Sequence, residues 1–163
     1  MTHLLIRPAT QADHDAVWDI LRPVFRAGDT YTQPADISRA AALAYWAGGG
    51  HSAFVAEQDG VILGSYYIGA NQLGRGDHVC NCGFATAPEA RGKGIARKMR
   101  DHALQQAVTM GFRAMQFNFV VSTNHGALKL WYEAGFQQVG RLPAAFRHPV
   151  DGDVDALVLF KTL

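Results

Sequence analysis

Apolar residues recur at helical intervals in two segments near the start of the chain. The first helix is marked by Val17, Ile20, Leu21, Val24 and Phe25. It ends at Gly28, and Pro23 predicts a kink within it. A second helix is predicted from about Asp36, ending at the glycines 48–50. Its predicted buried side consists of Ile37, Ala40, Ala41, Ala44 and Tyr45. A short strand over residues 4–10 precedes both helices.

Strand-forming residues dominate the next part of the chain. SAFVAEQDGVILGSYYIGA (52–70) predicts a hairpin, because Asp59-Gly60 is a favoured tight-turn pair between two β-rich runs. HVCNCGFATA (78–87) predicts a third strand of this series.

The second half alternates between helix and strand. A helix is predicted from Gly94 to about Met110, with Gly111 as its cap and one apolar stripe: Ile95, Met99, Ala103, Ala107 and Met110. Residues 114–121 predict a strand, 122–136 a short helix ending at Gly135, and QQVGRLPAAF and DALVLFKTL two more strands. The order βαα-βββ-α-β-α-ββ predicts an α/β domain, residues 1–163, on one mixed sheet.

Composition narrows the class of protein. A formal charge of +1 argues against general nucleic-acid binding. No apolar run approaches the roughly 20 residues that span a bilayer, and the first ten residues lack the pattern of a secretory signal. Only Cys80 and Cys82 are present, which fits a reducing cytoplasm better than a disulfide framework.

The segment APEARGKGIARKM (87–99) places two glycines and several cations where a strand gives way to a helix. Free amides and the helix dipole make a helix start an anion site, and glycines at 92 and 94 let a ligand approach the backbone. A diphosphate would fit. The alternative is an ordinary turn with surface cations. A dinucleotide fingerprint would lie near the first strand, and no Gly-Lys-Ser/Thr of a Walker loop is present.

This segment, read as Arg91-x-x-Gly94-x-Ala96, resembles the acyl-CoA signature of the GNAT acetyltransferases, and STNHGALKLWYEAGF resembles their Asn-x-x-Ala…Gly-Phe segment. The resemblance implies the GNAT fold: one mixed, mostly antiparallel sheet of about seven strands flanked by about four helices. Two central parallel strands, here 78–87 and 114–121, would splay apart around the pantetheine arm of acetyl-CoA. It implies acetyl-CoA as co-substrate and no metal. The implied cofactor-binding residues are Phe84, Ala85, Thr86, Arg91, Gly92, Lys93, Gly94, Ile95, Ala96, Asn124 and Trp131.

Two of these positions depart from the family pattern or carry a second interpretation. Asn124 either contacts the acetyl-pantetheine region or caps the helix after it. Trp131 stands where relatives often carry a tyrosine acid, and it cannot donate a proton as a phenol does. Tyr132 follows it, but neighbouring helical residues point about 100° apart.

Asn81 stands where many relatives carry a glutamate base, and Asn118 lies in the facing strand. An amide cannot act as a base, but it can orient substrate or polarise the thioester carbonyl. Asparagine is uncommon in strands, so both are assigned as catalytic candidates lining a substrate pocket. The alternative is that each side-chain amide only forms hydrogen bonds with neighbouring groups of the protein.

Together these features also resemble the subgroup of fungal acetyltransferases that act on azetidine-2-carboxylate, a proline analogue. That implies a homodimer and direct attack of a small amine or amino acid on the thioester. A sensor that binds acyl-CoA without turnover and a protein N-acetyltransferase remain open alternatives.

Several further residues are considered for other roles. His78, Cys80 and Cys82 alternate on one strand but lack the second ligand pair of a zinc site. Cys82 has no identifiable base partner that would make it a nucleophile. His148 either approaches the pocket or sits in a turn before Pro149. Tyr31, Tyr66 and Tyr67 either shape the acceptor site or pack in the core.

Overall fold

The computed structural model describes residues 3–163 and contains one seven-stranded sheet with four α-helices. The strands are β1 Leu5–Pro8, β2 Ser52–Gln58, β3 Val61–Ala70, β4 Val79–Thr86, β5 Ala114–Val121, β6 Gln137–His148 and β7 Gly152–Thr162. The helices are α1 His14–Ala27, α2 Arg39–Ala47, α3 Ile95–Thr109 and α4 His125–Glu133. The strand order is β1-β2-β3-β4-β5-β7-β6. The predicted element order and mixed sheet are confirmed.

Strands β4 and β5 form the parallel pair in this sheet, and they separate soon after they begin. They are paired only at Val79 with Ala114 and at Cys80 with Met115. A bulge in β5 between Phe117 and Val120 shifts its register against β7. A bulge bends its strand, so β5 turns away while β4 continues along β3. The predicted splay of the two central strands is therefore confirmed.

Turn chemistry explains why the hairpin β2–β3 forms where the sequence predicted it. Asp59 and Gly60 have φ of 53° and 78°. Two consecutive left-handed residues form the hairpin turn whose twist matches that of the flanking strands. Hairpin β2–β3 extends the sheet on the side of β4 away from the gap.

Helix α3 buries the predicted stripe through Ala107, but Met110 at its end is 39% exposed, so the stripe was predicted one turn too long. The face predicted for α2 was wrong at its three alanines, although Ile37, just before the helix, is buried as predicted. Ala42, Leu43 and Trp46 are buried, whereas Ala40, Ala41 and Ala44 are exposed. Alanines on every side of α2 leave little periodic signal, so the larger Leu43 and Trp46 decide which face packs. The Trp46 indole N–H also donates to Ser65 Oγ at 2.9 Å.

Candidate active site

The gap between β4 and β5 forms a cleft of about 470 Å³. Seven of the predicted cofactor-binding residues line it: Phe84, Ala85, Thr86, Arg91, Ala96, Asn124 and Trp131. The other four, Gly92, Lys93, Gly94 and Ile95, belong to the turn and first residue of α3 beside the cleft. Ile95 is buried in the core, so only its backbone is available to a ligand. We call this cavity the cofactor cleft.

The start of α3 presents backbone donors near this cleft. Lys98 N–H donates to Gly94 O at 3.1 Å, so the amides of the three preceding helical residues lie before the first helical hydrogen bond. Gly92 and Gly94 have φ of 74° and 76°. A Cβ at either glycine would meet no atom within 4 Å. The backbone conformation, rather than crowding within the protein, is therefore what favours glycine at both positions.

Cations surround these amides. Arg91, Lys93 and Lys98 are exposed, and none forms an ion pair within residues 3–163. Arg97 is already paired with Glu133 at 2.8 Å. Three free cations around a helix start favour an anion with several charges.

Asn124 can serve both roles considered for it from the sequence. Its Oδ1 accepts from Ala127 N–H at 3.2 Å and thereby caps α4. Its Nδ2 has no hydrogen-bond partner in the described part of the chain, while the residue lines the cofactor cleft. The cap fixes the side chain and leaves one donor group for a ligand.

Aromatic residues of β4, β5 and α4 pack against one another along the cleft. Trp131 is 6% exposed, and its ring centroid lies 4.9 Å from that of Phe84 and 4.3 Å from that of Phe117. Tyr132 is 42% exposed, and its hydroxyl lies 3.5 Å from Gln138 Oε1. Tyr132 does not line the cleft. The tyrosine that lines the cleft is Tyr31.

A second cavity of about 210 Å³ adjoins the cofactor cleft, and we call it the acceptor cavity. It is lined by Thr30, Tyr31, Thr32, Tyr45, Tyr67, Asn81, Cys82, Phe117, Asn118 and Phe119. The structure thus brings the two predicted catalytic asparagines into one cavity. None of these residues carries a formal charge while its tyrosines and its cysteine are protonated.

Both asparagine amides are held by hydrogen bonds. Asn81 Nδ2 donates to Gln116 O at 3.0 Å, and Tyr67 Oη donates to Asn81 Oδ1 at 3.3 Å. Asn118 Nδ2 donates to Asn71 Oδ1 at 2.6 Å, and Asn118 Oδ1 accepts from Gln116 Nε2 at 2.9 Å. Each NH₂ group keeps a second hydrogen for a ligand. The bond from Asn81 also satisfies a β5 carbonyl close to where the parallel ladder stops.

Burial favours the neutral forms of three side chains around the acceptor cavity, those of Tyr31, Tyr67 and Cys82. It raises the pKa of the Tyr31 and Tyr67 hydroxyls above their ordinary value. It also raises the pKa of the Cys82 thiol well above its ordinary value. A thiol that stays protonated is a poor nucleophile, so Cys82 is unsuited to carry an acyl group. Tyr66, the third tyrosine considered from the sequence, lines neither cavity and bonds His102 Nδ1 at 2.6 Å.

His148 lies at the end of β6, where the next turn begins, and it lines neither the cofactor cleft nor the acceptor cavity. It lines a cavity of about 330 Å³ that shares Thr30, Asn124 and Gly126 with the cofactor cleft. Its Nδ1 accepts from the N–H groups of Val150 and Asp151 at 3.2 and 3.1 Å, which holds the turn after β6. Asp29 and His125, which line the same cavity, were missed because nothing in the sequence connects their loops.

The remaining sequence hypotheses concern metals and membranes. Cys80 and Cys82 are both buried, with free thiols. Within residues 3–163, no group of three or more His, Cys, Asp or Glu side chains is placed to hold a metal ion. Over the same residues, every helix is too short or too polar to cross a bilayer.

Known proteins resemble this chain in sequence and in fold. The model of the acetyltransferase (GNAT) family matches residues 14–136. N-acetyltransferase aca1 of Schizosaccharomyces pombe is 38% identical over 98 residues, which cover 60% of this chain and 47% of that protein. The chain thus matches about half the length of this curated relative.

Solved structures agree along nearly the whole chain. A GCN5-related N-acetyltransferase from Kribbella flavida is 37% identical with a TM-score of 0.93, covering 98% of both chains. A phosphinothricin acetyltransferase from Sinorhizobium meliloti, solved in complex with acetyl-CoA, is 22% identical with a TM-score of 0.85. That match covers 98% of this chain and 88% of the other, and it shows a shared fold.

Proposed function

Because the chain belongs to the acetyltransferase (GNAT) family, we propose that it transfers an acetyl group from acetyl-CoA to the amine of a small molecule. One observation carries this proposal. The gap between β4 and β5 lies between a helix start with free amides and a separate polar cavity, and Tyr31, Cys82 and Phe117 line both the cleft and that cavity. A long ligand with a charged end and a reactive end fits such a site.

The residues around the cofactor cleft suit coenzyme A. The amides at the start of α3, with Arg91, Lys93 and Lys98, would hold the diphosphate. The pantetheine arm would lie along the backbone of Phe84, Ala85 and Thr86, because its amides can pair with an open strand edge. Trp131 and Asn124 would contact the arm near the sulfur. The S. meliloti relative was solved with acetyl-CoA, which is consistent with this assignment.

The acceptor cavity supplies positioning rather than a strong base. Asn81 and Asn118 would orient the amine or the thioester carbonyl through their free N–H groups. A neutral amine would attack the carbonyl, and the thiolate would leave with a proton taken from water or the acceptor. Ordinary thiols have a pKa of about 8.5, so the departing group needs little acid assistance. Holding both substrates together would provide much of the acceleration.

We propose a small acceptor, with a cyclic amino acid such as a proline analogue among the compounds to test. The volume of about 210 Å³ favours a small molecule over a folded protein surface. Two asparagine NH₂ groups and the hydroxyls of Thr30 and Thr32 offer donors to a carboxylate without a cationic side chain.

Thiol release from acetyl-CoA, measured against a panel of small amines and amino acids, tests the proposed function. We expect acceptor-dependent release that is abolished when the acceptor is left out. Calorimetric titration with coenzyme A, run in parallel, separates the alternatives. Binding without thiol release for any acceptor would favour an acyl-CoA sensor, and absence of both binding and release would contradict the proposal. Release with peptides but not small amines would point to protein acetylation.

We also propose a homodimer. The long strand β6 forms one edge of the sheet and exposes Val139 (61%) and Leu142 (38%). An unpaired edge with exposed apolar side chains is suited to pairing with another chain. Light scattering after size-exclusion chromatography would give the mass directly, and a value near 17.7 kDa would contradict a dimer.

A further inference from the structure

The hydroxyl of Tyr31 occupies backbone groups of β4 inside the gap. Tyr31 Oη donates to Phe84 O at 2.8 Å and accepts from Phe84 N–H at 2.9 Å. One side-chain oxygen therefore takes both the donor and the acceptor of a single strand residue.

These backbone groups of Phe84 face β5. Upstream, His78 O accepts from Arg113 N–H at 2.8 Å, just before the paired residues of β4 and β5. Backbone groups two residues apart on a strand point to the same side, and Phe84 lies six residues after His78. The strand β5 has separated from β4 by then, so Tyr31 fills the hydrogen-bonding position that β5 leaves open.

Tyr31 also links the two cavities. It comes from the loop between α1 and α2 and lines both the cofactor cleft and the acceptor cavity. Its ring packs edge-on against Phe25 and Trp46, at centroid distances of 5.6 and 6.0 Å. The ring is thus held by α1 and α2, while its hydroxyl bonds to β4.

On the basis of the proposed function, we propose that the Tyr31 hydroxyl is a substitute ligand for β4, which the pantetheine arm of coenzyme A displaces when it binds. The arm carries two amides, and an amide paired with Phe84 needs the same N–H and C=O that Tyr31 now holds. The Tyr31–Phe84 pair and a fully paired pantetheine amide at Phe84 therefore exclude one another.

Two consequences follow from this competition. Tyr31 lowers the affinity for coenzyme A, because the ligand must break two existing hydrogen bonds. Tyr31 also acts as a positioning residue, because its release changes the wall of the acceptor cavity when the cofactor cleft is filled. The acceptor cavity would reach its final shape only after the cofactor has bound.

Tyr31→Phe tests the competition, since it removes the hydroxyl and keeps the ring. We expect calorimetry to show coenzyme A binding about tenfold tighter than to wild type, equivalent to about 1.4 kcal/mol. That is the size expected for one or two neutral hydrogen bonds that no longer need to be broken. Tyr66→Phe is the matched control, because it removes a hydroxyl bonded to His102 outside both cavities. Its affinity should stay within about twofold of wild type.

Binding to Tyr31→Phe that is unchanged or weaker would overturn the inference, as would an equal gain in Tyr66→Phe. A measurement on the wild-type protein covers the case in which Tyr31→Phe fails to fold. With tyrosine rings labelled for NMR, saturation with coenzyme A should shift the Tyr31 signals and leave those of Tyr66 in place. An unmoved Tyr31 ring in a saturated protein would overturn the inference alone, whereas absence of any coenzyme A binding would overturn the proposed function with it.

Discussion

Gly94 and Gly111 stand at opposite ends of α3 and provide a matched test of the anion site. Their φ values are 76° and 91°, and a Cβ at either position would meet no other atom within 4 Å. Alanine at either position should cost about 1–2 kcal/mol of backbone strain. In Gly94→Ala, the backbone would rotate to relieve that strain, and the first amides of α3 would no longer point towards the diphosphate. Calorimetry should therefore show coenzyme A binding about tenfold weaker.

Gly111→Ala carries the same strain far from these amides, so its affinity should stay within about twofold of wild type. Wild-type affinity for coenzyme A in both variants would contradict a diphosphate at the start of α3. Equal weakening in both would show that general destabilisation, and not the position of the amides, controls binding.

Asn81 tests whether a donor is needed in the acceptor cavity. In Asn81→Asp a carboxylate faces Gln116 O, which now accepts from the amide. We expect kcat to fall about 10- to 100-fold, the effect of losing about 1.4–2.7 kcal/mol of hydrogen bonding. Burial raises the pKa of a carboxyl, so the loss should shrink as pH falls and the group regains a proton to donate.

Asn71→Asp is the control, because the Asn71 side chain accepts from Asn118 and a carboxylate still accepts. It should keep kcat within about twofold of wild type, and coenzyme A affinity should change little in either variant. A kcat for Asn81→Asp equal to that of Asn71→Asp would remove Asn81 from the proposed catalytic set.

The sequence predicted Asn81 and Asn118 because asparagine is unusual inside a strand, and the structure brings both into one cavity. It did not predict Thr30, Thr32 or Phe119. The two threonines come from the loop between helices, and Phe119 lies in the β5 bulge. Neither setting has a periodic pattern, so their positions depend on tertiary packing.

Among the elements, Arg7 of β1 bonds both Glu57 of β2 and the buried carboxylate of Asp13, which lies just before α1. Arg7 donates to both oxygens of Asp13 at 2.8 and 2.9 Å and to Glu57 at 2.8 Å, and Thr10 N–H donates to Asp13 at 2.7 Å. The Arg7 guanidinium holds the pKa of Asp13 well below its usual range. A lowered folded-state pKa stabilises the fold above the unfolded pKa of about 3.9, and this stability is lost as pH falls towards the folded value.

Asp13→Asn should therefore lower the free energy of unfolding by about 2–3 kcal/mol at neutral pH. The gap to wild type should narrow below about pH 4, as measured by urea unfolding at neutral and acidic pH. Asp15→Asn is the control, because its carboxylate is 89% exposed although it pairs with Arg39 at 2.6 Å. It should change stability by less than about 0.5 kcal/mol at either pH. A gap for Asp13→Asn that does not depend on pH would contradict the ion-pair explanation.

The elements differed in how well the sequence predicted them. The hairpin β2–β3 has a specific turn pair, and α3 has a clear apolar stripe, so both were found. Helix α2 is rich in alanine, whose small side chain changes the free energy little whether it is buried or exposed. The alanines of its buried face were therefore predicted wrongly. The β5 bulge that opens the gap has no sequence signal of its own, although the resemblance to the family implied its result.

The whole molecule has a formal charge of only +1, so its attraction for an anionic ligand has to be local. Ligand binding stabilises a folded protein by mass action, by about 2.7 kcal/mol at 100 times Kd. For a chain of this size that corresponds to a rise in Tm of about 5–10 °C. We expect coenzyme A to produce such a rise and pantetheine, which lacks the diphosphate and the nucleotide, to produce less than about 2 °C at the same concentration.

Salt should weaken the coenzyme A effect, because Arg91, Lys93 and Lys98 are exposed and salt screens exposed charges over about 10 Å at 0.1 M. Thermal unfolding at low and high salt, with each ligand, measures both expectations. An equal rise with pantetheine would mean that the gap between β4 and β5 supplies the affinity and the start of α3 does not. A smaller, salt-independent rise with coenzyme A would lead to the same conclusion, since a diphosphate held by free cations must respond to screening.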